Sequence, residues 1–191
     1  MWYKKISFPL QLTLFRFVGA PCTLPFLIVY GLPYNVFLVN CLVGLVLLLF
    51  GLTDFFDGYL ARKYNQTTSY GQVLDPIADK FLLYSTLVAL VAVGKLYFLW
   101  AIVWIGREFL VMGLRMIAVE RDRTIPVSYS GKIKTILQIA ALLCVIINPY
   151  QYDWNTGFWW NALEASLLVN ASIYSIVSLY QYVVLFFESK S

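Results

Sequence analysis

Residues 17–53 read FVGAPCTLPFLIVYGLPYNVFLVNCLVGLVLLLFGLT, a run from Phe17 to Thr53 without one charged side chain. Gly31-Leu32-Pro33 interrupts it, and Gly-X-Pro is a turn signal. A membrane-spanning helix needs about 20 apolar residues at ~1.5 Å each, so the run is expected to hold two helices, about 9–30 and 34–61. Working outward, a third helix is expected from near Gly71 to near Gly94-Lys95, a fourth over about 98–120, and a fifth over about 130–148 that stops at Asn148-Pro149. A sixth begins after Asp153 and contains the charge-free stretch Ala165 to Phe187. Strands are not expected, because the apolar runs are too long and lack alternation. The reading is an all-α polytopic membrane protein with six transmembrane helices in a single domain, residues 1–191.

Composition agrees. Of 191 residues 61% are hydrophobic and only 13% charged, with a mean hydropathy of +0.74. A soluble domain carries about 25% charged residues; with so few charges this chain could not cover a water-facing surface. Disorder needs the opposite composition. The N-terminal apolar run is followed at once by further spans, so it is read as a helix rather than a cleaved signal peptide. Residues 1–10, with Lys4 and Lys5 beside Trp2, Ile6 and Phe8, read either as an interfacial segment or as a solvated terminus.

Lys and Arg set the orientation. With six spans, the N-terminus, the 61–71 and 120–131 connections and the C-terminus share a side. That side holds nine cations: Lys4, Lys5, Arg62, Lys63, Arg121, Arg123, Lys132, Lys134 and Lys190. The opposite connections hold only Lys95. The positive-inside rule then places both termini in the cytoplasm. Trp100, Trp104, Trp154, Trp159, Trp160 and many tyrosines are expected mostly as anchors at the membrane interface.

The chain has no histidine, which removes imidazole-based triads, zinc sites and proton shuttles. Its cysteines, Cys22, Cys41 and Cys144, lie far apart in apolar stretches, so neither a thiolate zinc site nor a dithiol redox pair is expected. Any metal must be held by carboxylates, which points to Mg²⁺, Mn²⁺ or Ca²⁺.

Ionisable groups inside spans are costly and are functional candidates by default. The dense cluster is Asp54, Asp57, Arg62, Asp75, Asp79 and Lys80. Asp54 and Asp57 are three apart and share one helix face, extended by Gly58 and Ala61; Asp75 and Asp79 are four apart and share another, with Gly71 one turn back. Asp54 lies ~30 Å along a helix from Tyr34 and Asp79 ~12 Å from Gly71, so both pairs fall toward the cytoplasmic edge. Antiparallel neighbours joined by a short connection would bring the four carboxylates together, where they repel strongly in low dielectric. Two divalent metals neutralise them and can clamp both the attacking and the leaving oxygen of a phosphate-transfer reaction. The plain alternative is that the carboxylates pair with Arg62, Lys63 and Lys80 and only anchor connections.

The order Asp54-x-x-Asp57-Gly58-x-x-Ala61-Arg62-x8-Gly71-x3-Asp75-x3-Asp79 resembles, without gap or mismatch, the signature of the CDP-alcohol phosphotransferases. The resemblance implies a six-helix membrane fold, usually homodimeric, with a cytoplasm-facing site for two Mg²⁺ or Mn²⁺ ions. It implies Asp54, Asp57, Asp75 and Asp79 as ligands and Asp79 also as general base. Gly58, Ala61 and Gly71 would make room for the cytidine nucleotide, Arg62 would meet its phosphate, and Thr13 joins this nucleotide set. A phosphatidyl group would pass from CDP-diacylglycerol to an alcohol with release of CMP.

Gly106-Arg107-Glu108-Phe109-Leu110-Val111-x-Gly113-Leu114-Arg115 looks like the phosphatidylglycerophosphate synthase branch of that family. So do Ile125-Pro126, Gly131-Lys132-x-Lys134-Thr135-x-x-Gln138 and Leu12-Thr13-x-x-Arg16-x4-Pro21. The branch commonly has Pro-Asn before its Leu-Thr pair, whereas Leu10 follows Pro9 here; the polar contact is lost or supplied by Gln11. Residues 146–191 carry no motif. Independently of the resemblance, Arg107, Arg115, Lys132 and Lys134 are cations suited to an acceptor with its own phosphate, such as sn-glycerol 3-phosphate. For Lys132, as for Arg121 and Arg123, the plain alternative is contact with lipid headgroups. Glu108 either orients a cation or is structural.

The leading expectation is transfer of a phosphatidyl group to sn-glycerol 3-phosphate at the bacterial inner membrane, within the lipid bilayer, and no nucleic-acid partner is expected. One alternative keeps the family but makes phosphatidylglycerol the acceptor, as in a cardiolipin synthase of the CDP-diacylglycerol type. Another is a carboxylate-based secondary transporter, which calls for a midplane site between repeats; no repeat is visible and the cluster lies near one edge.

Overall fold

The computed structural model describes the backbone of residues 8–63, 69–120, 129–151, 153 and 155–188; the side chains described are those of 19, 21–51, 80–118, 120, 129–151, 153 and 155–187. Among the described residues the elements are six α-helices, α1 (Phe8–Gly31), α2 (Phe37–Lys63), α3 (Ser69–Ala92), α4 (Phe98–Glu120), α5 (Tyr129–Ile147) and α6 (Phe158–Glu188), with one 3₁₀ turn, Leu32–Tyr34, after α1. No strand occurs among the described residues. The all-α expectation holds, and Phe8–Leu10, part of the possible interfacial segment, open α1; residues 1–7 lie outside the described residues.

Helix ends follow local chemistry. The second helix starts at Phe37, later than the expected 34, because Pro33 favours the 3₁₀ turn and Asn35 closes it in the left-handed conformation (φ 48°), its N–H donating to the Leu32 carbonyl at 2.9 Å. Asn is among the few residues that tolerate this geometry. Helix α3, whose last residue is Ala92, is closed by Gly94 (φ +73°): Gly94 N–H donates to Val91 O at 3.1 Å and Lys95 N–H to Leu90 O at 2.9 Å, the paired bonds of a Schellman cap. Helix α5 stops where Pro149 cannot continue it. Asn148, fully buried, donates to Asn161 Oδ1 at 2.9 Å and Glu164 Oε2 at 2.7 Å, tying the α5–α6 connection to the first turns of α6.

The chain forms two compact units, Met1–Lys95 and Leu96–Ser191. In the first, α1 packs against both α2 and α3, burying Leu24, Ile28, Val43, Leu87 and Leu90. In the second, α6 packs against both α4 and α5. Its interior is unusual for a soluble protein. Helix α6 buries Ser172, Ser175, Ser178 and Tyr182, while Val169, Ile173, Ile176 and Val177 are exposed. Beside buried Leu168 and Ala171, these hydroxyl side chains point inward while the four aliphatic ones point outward, a pattern that suits an integral membrane protein, in which lipid covers the apolar face.

Among the described residues two helical stretches, Tyr129–Ile147 and Phe158–Phe187, are long and apolar enough to cross a membrane; Pro21–Tyr34, Phe37–Gly51 and Lys80–Ala92 are shorter apolar stretches. Helix α4 differs because it carries Arg107, Glu108, Arg115 and Glu120. Trp104 departs from the interface-anchor expectation. It is fully buried, and its Nε1–H donates to Ser172 Oγ at 2.8 Å, joining α4 to α6. Trp159, by contrast, is 83% exposed.

Candidate active site

Asp54, Asp57, Gly58, Ala61 and Arg62 lie on α2, Gly71, Asp75 and Asp79 on α3, and Thr13 on α1. Continuous helix through each carboxylate pair keeps Asp54 with Asp57, and Asp75 with Asp79, on one face. The side chains of all nine lie outside those described. Among the described residues no group of three or more His, Cys, Asp or Glu stands together.

Arg107, Arg115, Lys132 and Lys134 of the second unit are among the described side chains. Arg107 and Glu108 are adjacent on α4, a spacing at which helical side chains ordinarily diverge. Here both turn into the bundle. Arg107 Nη1 donates to Glu108 Oε1 at 2.8 Å, and Lys134 Nζ from α5 donates to the same oxygen. All three side chains are at most 6% exposed. Arg107 Nη2 donates to Ser178 Oγ on α6. One carboxylate therefore gathers cations from two helices, and the third supplies a hydroxyl.

Tyr182, 2% exposed on α6, extends the cluster. Its ring centroid lies 5.6 Å from the Arg107 guanidinium carbon and 5.1 Å from that of Arg115, and its hydroxyl accepts from Arg115 Nη2 at 2.9 Å. Gln138 Nε2 reaches Ser175 Oγ at 3.4 Å, and Ser130 Oγ donates to Gln181 Oε1 at 2.5 Å. Going along α6, residues 172, 178 and 182 bond α4 and residues 175 and 181 bond α5. This ladder was missed in the sequence because no charge marks it; the signal was polar residues at helical spacing inside an aliphatic span.

Electrostatics define what the cluster can hold. Arg107 and Lys134 share one carboxylate, Glu108, and half-buried Arg115 lies beyond them against Tyr182, so cations outnumber carboxylates among the described residues of the cluster. Buried charge is costly, by several kcal/mol per ion, and favours a counter-charge close by. The Nε–H groups of Arg107 and Arg115 are also buried, and neither finds an acceptor among the described residues. Such donors favour an anion with several oxygens, and a phosphate suits the guanidinium fork. Lys132 is set apart. It is exposed, and two residues from Lys134 is about 200° around a helix.

The family model for CDP-alcohol phosphatidyltransferases matches residues 6–182. The chain belongs to this family. Among its relatives, a protein of Rickettsia felis is 38% identical over 141 residues, covering 74% of this chain and 75% of the relative. One from Salmonella typhimurium is 32% identical over 185 residues, and one from Sodalis glossinidius 34% over 185, each covering 93% of both chains. All three are named CDP-diacylglycerol–glycerol-3-phosphate 3-phosphatidyltransferase. Neither the cardiolipin synthase nor the transporter reading is favoured by these matches. As a CDP-alcohol phosphatidyltransferase, the chain has its motif on α2 and α3 and its buried cations on α4 and α5.

Proposed function

We propose that the chain is a membrane enzyme that transfers the phosphatidyl group of CDP-diacylglycerol to sn-glycerol 3-phosphate, giving phosphatidylglycerophosphate and CMP. The observation that carries the acceptor assignment is the pair of buried Nε–H donors of Arg107 and Arg115 without an acceptor among the described residues, in a cluster where Arg107 and Lys134 share one carboxylate, Glu108. A phosphorylated acceptor offers these donors charged oxygens; choline or glycerol does not. The names of the relatives agree with this reading.

In the reaction the acceptor hydroxyl oxygen attacks the lipid-linked phosphorus, the bond from that phosphorus to the CMP oxygen breaks, and the hydroxyl proton passes to the Asp79 carboxylate. Asp54, Asp57, Asp75 and Asp79 would hold two Mg²⁺ or Mn²⁺ ions, for which hard carboxylate oxygens are suited donors. When bound, these ions supply charge neutralisation at the phosphate oxygens. Thr13, Gly58, Ala61, Arg62 and Gly71 take the cytidine nucleotide. Arg107, Arg115 and Lys134 hold the acceptor phosphate, while exposed Lys132 adds attraction at longer range. The same reading has one domain of six spans over residues 1–191, with the site and both termini facing the cytoplasm of a bacterial inner membrane, and assembly as a homodimer.

The test supplies purified protein with labelled CDP-diacylglycerol and Mg²⁺ or Mn²⁺ and offers glycerol 3-phosphate, phosphatidylglycerol and glycerol together. The product expected is phosphatidylglycerophosphate, with CMP released in equal amount. Cardiolipin or phosphatidylglycerol as the main product would overturn the acceptor assignment.

A further inference from the structure

Arg107 and Arg115 are eight residues apart on α4, about 12 Å along the helix axis. A phosphate monoester is smaller than that separation, so two arginines so placed act on it together only if something draws them toward each other. Tyr182 is placed to do so. Both guanidinium carbons lie close to its ring, at 5.6 Å and 5.1 Å from the centroid. An aromatic face attracts a guanidinium at such distances. The hydroxyl accepts from Arg115 Nη2 at 2.9 Å, and the side chain is 2% exposed, fixed in the packed interior of α6.

The two arginines differ in what else holds them. Arg107 is also bound by Glu108 and Ser178. For Arg115 the hydrogen bond described is the one to Tyr182. A long, flexible arginine loses rotamer entropy on meeting a ligand unless it is already anchored. The buried Nε–H of each arginine remains available as a donor.

We propose that Tyr182 is a positioning residue for the acceptor site: it gathers Arg107 and Arg115 and pre-orders Arg115 for the acceptor phosphate, and so contributes to discrimination between phosphorylated and unphosphorylated acceptors. This rests on the reading of the two arginines as phosphate ligands. Ring and hydroxyl contribute separately. The ring serves both arginines, whereas the hydroxyl serves Arg115.

The experiment measures apparent KM for glycerol 3-phosphate and for CDP-diacylglycerol, with kcat, in the full-length purified protein and in Tyr182→Phe, Tyr182→Leu, Arg107→Lys, Arg115→Lys and the double variant Tyr182→Phe/Arg115→Lys. Tyr182→Phe is expected to raise KM for glycerol 3-phosphate about two- to tenfold, and Tyr182→Leu about tenfold or more. KM for CDP-diacylglycerol should stay within about twofold in both. In the double variant the Phe substitution should add less than about twofold to Arg115→Lys alone, because the bond it removes is already disturbed. Both constants rising together, or an effect of Tyr182→Phe that multiplies undiminished onto Arg115→Lys, would overturn the proposal. If Tyr182→Leu does not accumulate, Tyr182→Phe, which keeps the ring and its packing, decides alone. Arg107→Lys and Arg115→Lys raising KM for glycerol 3-phosphate while Tyr182→Phe leaves it unchanged sinks the positioning role only. If neither arginine variant moves that constant, the phosphate-site reading fails and the positioning role with it.

Discussion

Lys134 on α5 donates to the carboxylate of Glu108 on α4, with both side chains buried. Because the same Glu108 oxygen also accepts from Arg107, a single negative charge holds two cations in place. Removing one partner of a buried ion pair typically costs about 3–5 kcal/mol, since the charge left behind is uncompensated. Glu108→Ala is therefore expected to lower the thermal unfolding midpoint in detergent markedly and to weaken glycerol 3-phosphate binding in any protein that folds. A midpoint within a degree or two of wild type would mean that the three charges do not form a buried cluster.

The carboxylates of α2 and α3 carry the second prediction. Asp54→Ala, Asp57→Ala, Asp75→Ala and Asp79→Ala should each abolish turnover at saturating Mg²⁺ or Mn²⁺, measured as CMP release. A loss of only severalfold for Asp57→Ala, together with a wild type insensitive to chelator, contradicts the two-metal assignment.

Asp153, in the connection between α5 and α6, supplies a pH dependence. The Thr156 hydroxyl at 2.6 Å, and then the N–H groups of Asn155 and Thr156 at 3.0 and 3.4 Å, hold its carboxyl below the ordinary value. A depressed carboxyl stabilises the fold above its unfolded pKa, and the contribution disappears as pH falls through the folded value. The difference in unfolding midpoint between wild type and Asp153→Ala should be constant around neutrality and should close in acid, below the usual carboxylate range. A difference that does not change with pH would show that the carboxylate's charge plays no part.

Nine cations against one predict the orientation. In sealed cells, a cysteine introduced as Asn65→Cys should react with an impermeant thiol reagent only after the cytoplasmic side is exposed. Labelling from outside intact cells would reverse the topology.

Much of this was legible in the sequence, and unevenly so. Charge-free runs announced the helices, and Asn148-Pro149 and Gly94-Lys95 marked two ends because a missing N–H and a left-handed residue act locally. The start of α2 was displaced by the 3₁₀ turn at Pro33, a choice between two short-range geometries that hydropathy does not register. Arg107 and Arg115 stood out because a charge in a span is rare. Ser178 and Tyr182 did not, because serine and tyrosine are common in spans and only the packing of α6 against α4 reveals their role. Trp104 was misread for the same reason: belt and core tryptophans look alike until a partner such as Ser172 is placed. Lys132 and Lys134 were equivalent by type and neighbourhood; the helical phase of α5 exposes one and buries the other.

On the proposed function, the buried cations of α4 and α5 receive the phosphate of the acceptor. The most direct test of this is the pair of apparent KM values in Arg107→Ala. Losing a charge-assisted contact typically costs about 1.5–3 kcal/mol, or roughly ten- to 150-fold in affinity. KM for glycerol 3-phosphate should rise by that factor while KM for CDP-diacylglycerol stays within about twofold. An equal rise in both, or a rise confined to CDP-diacylglycerol, would contradict the assignment.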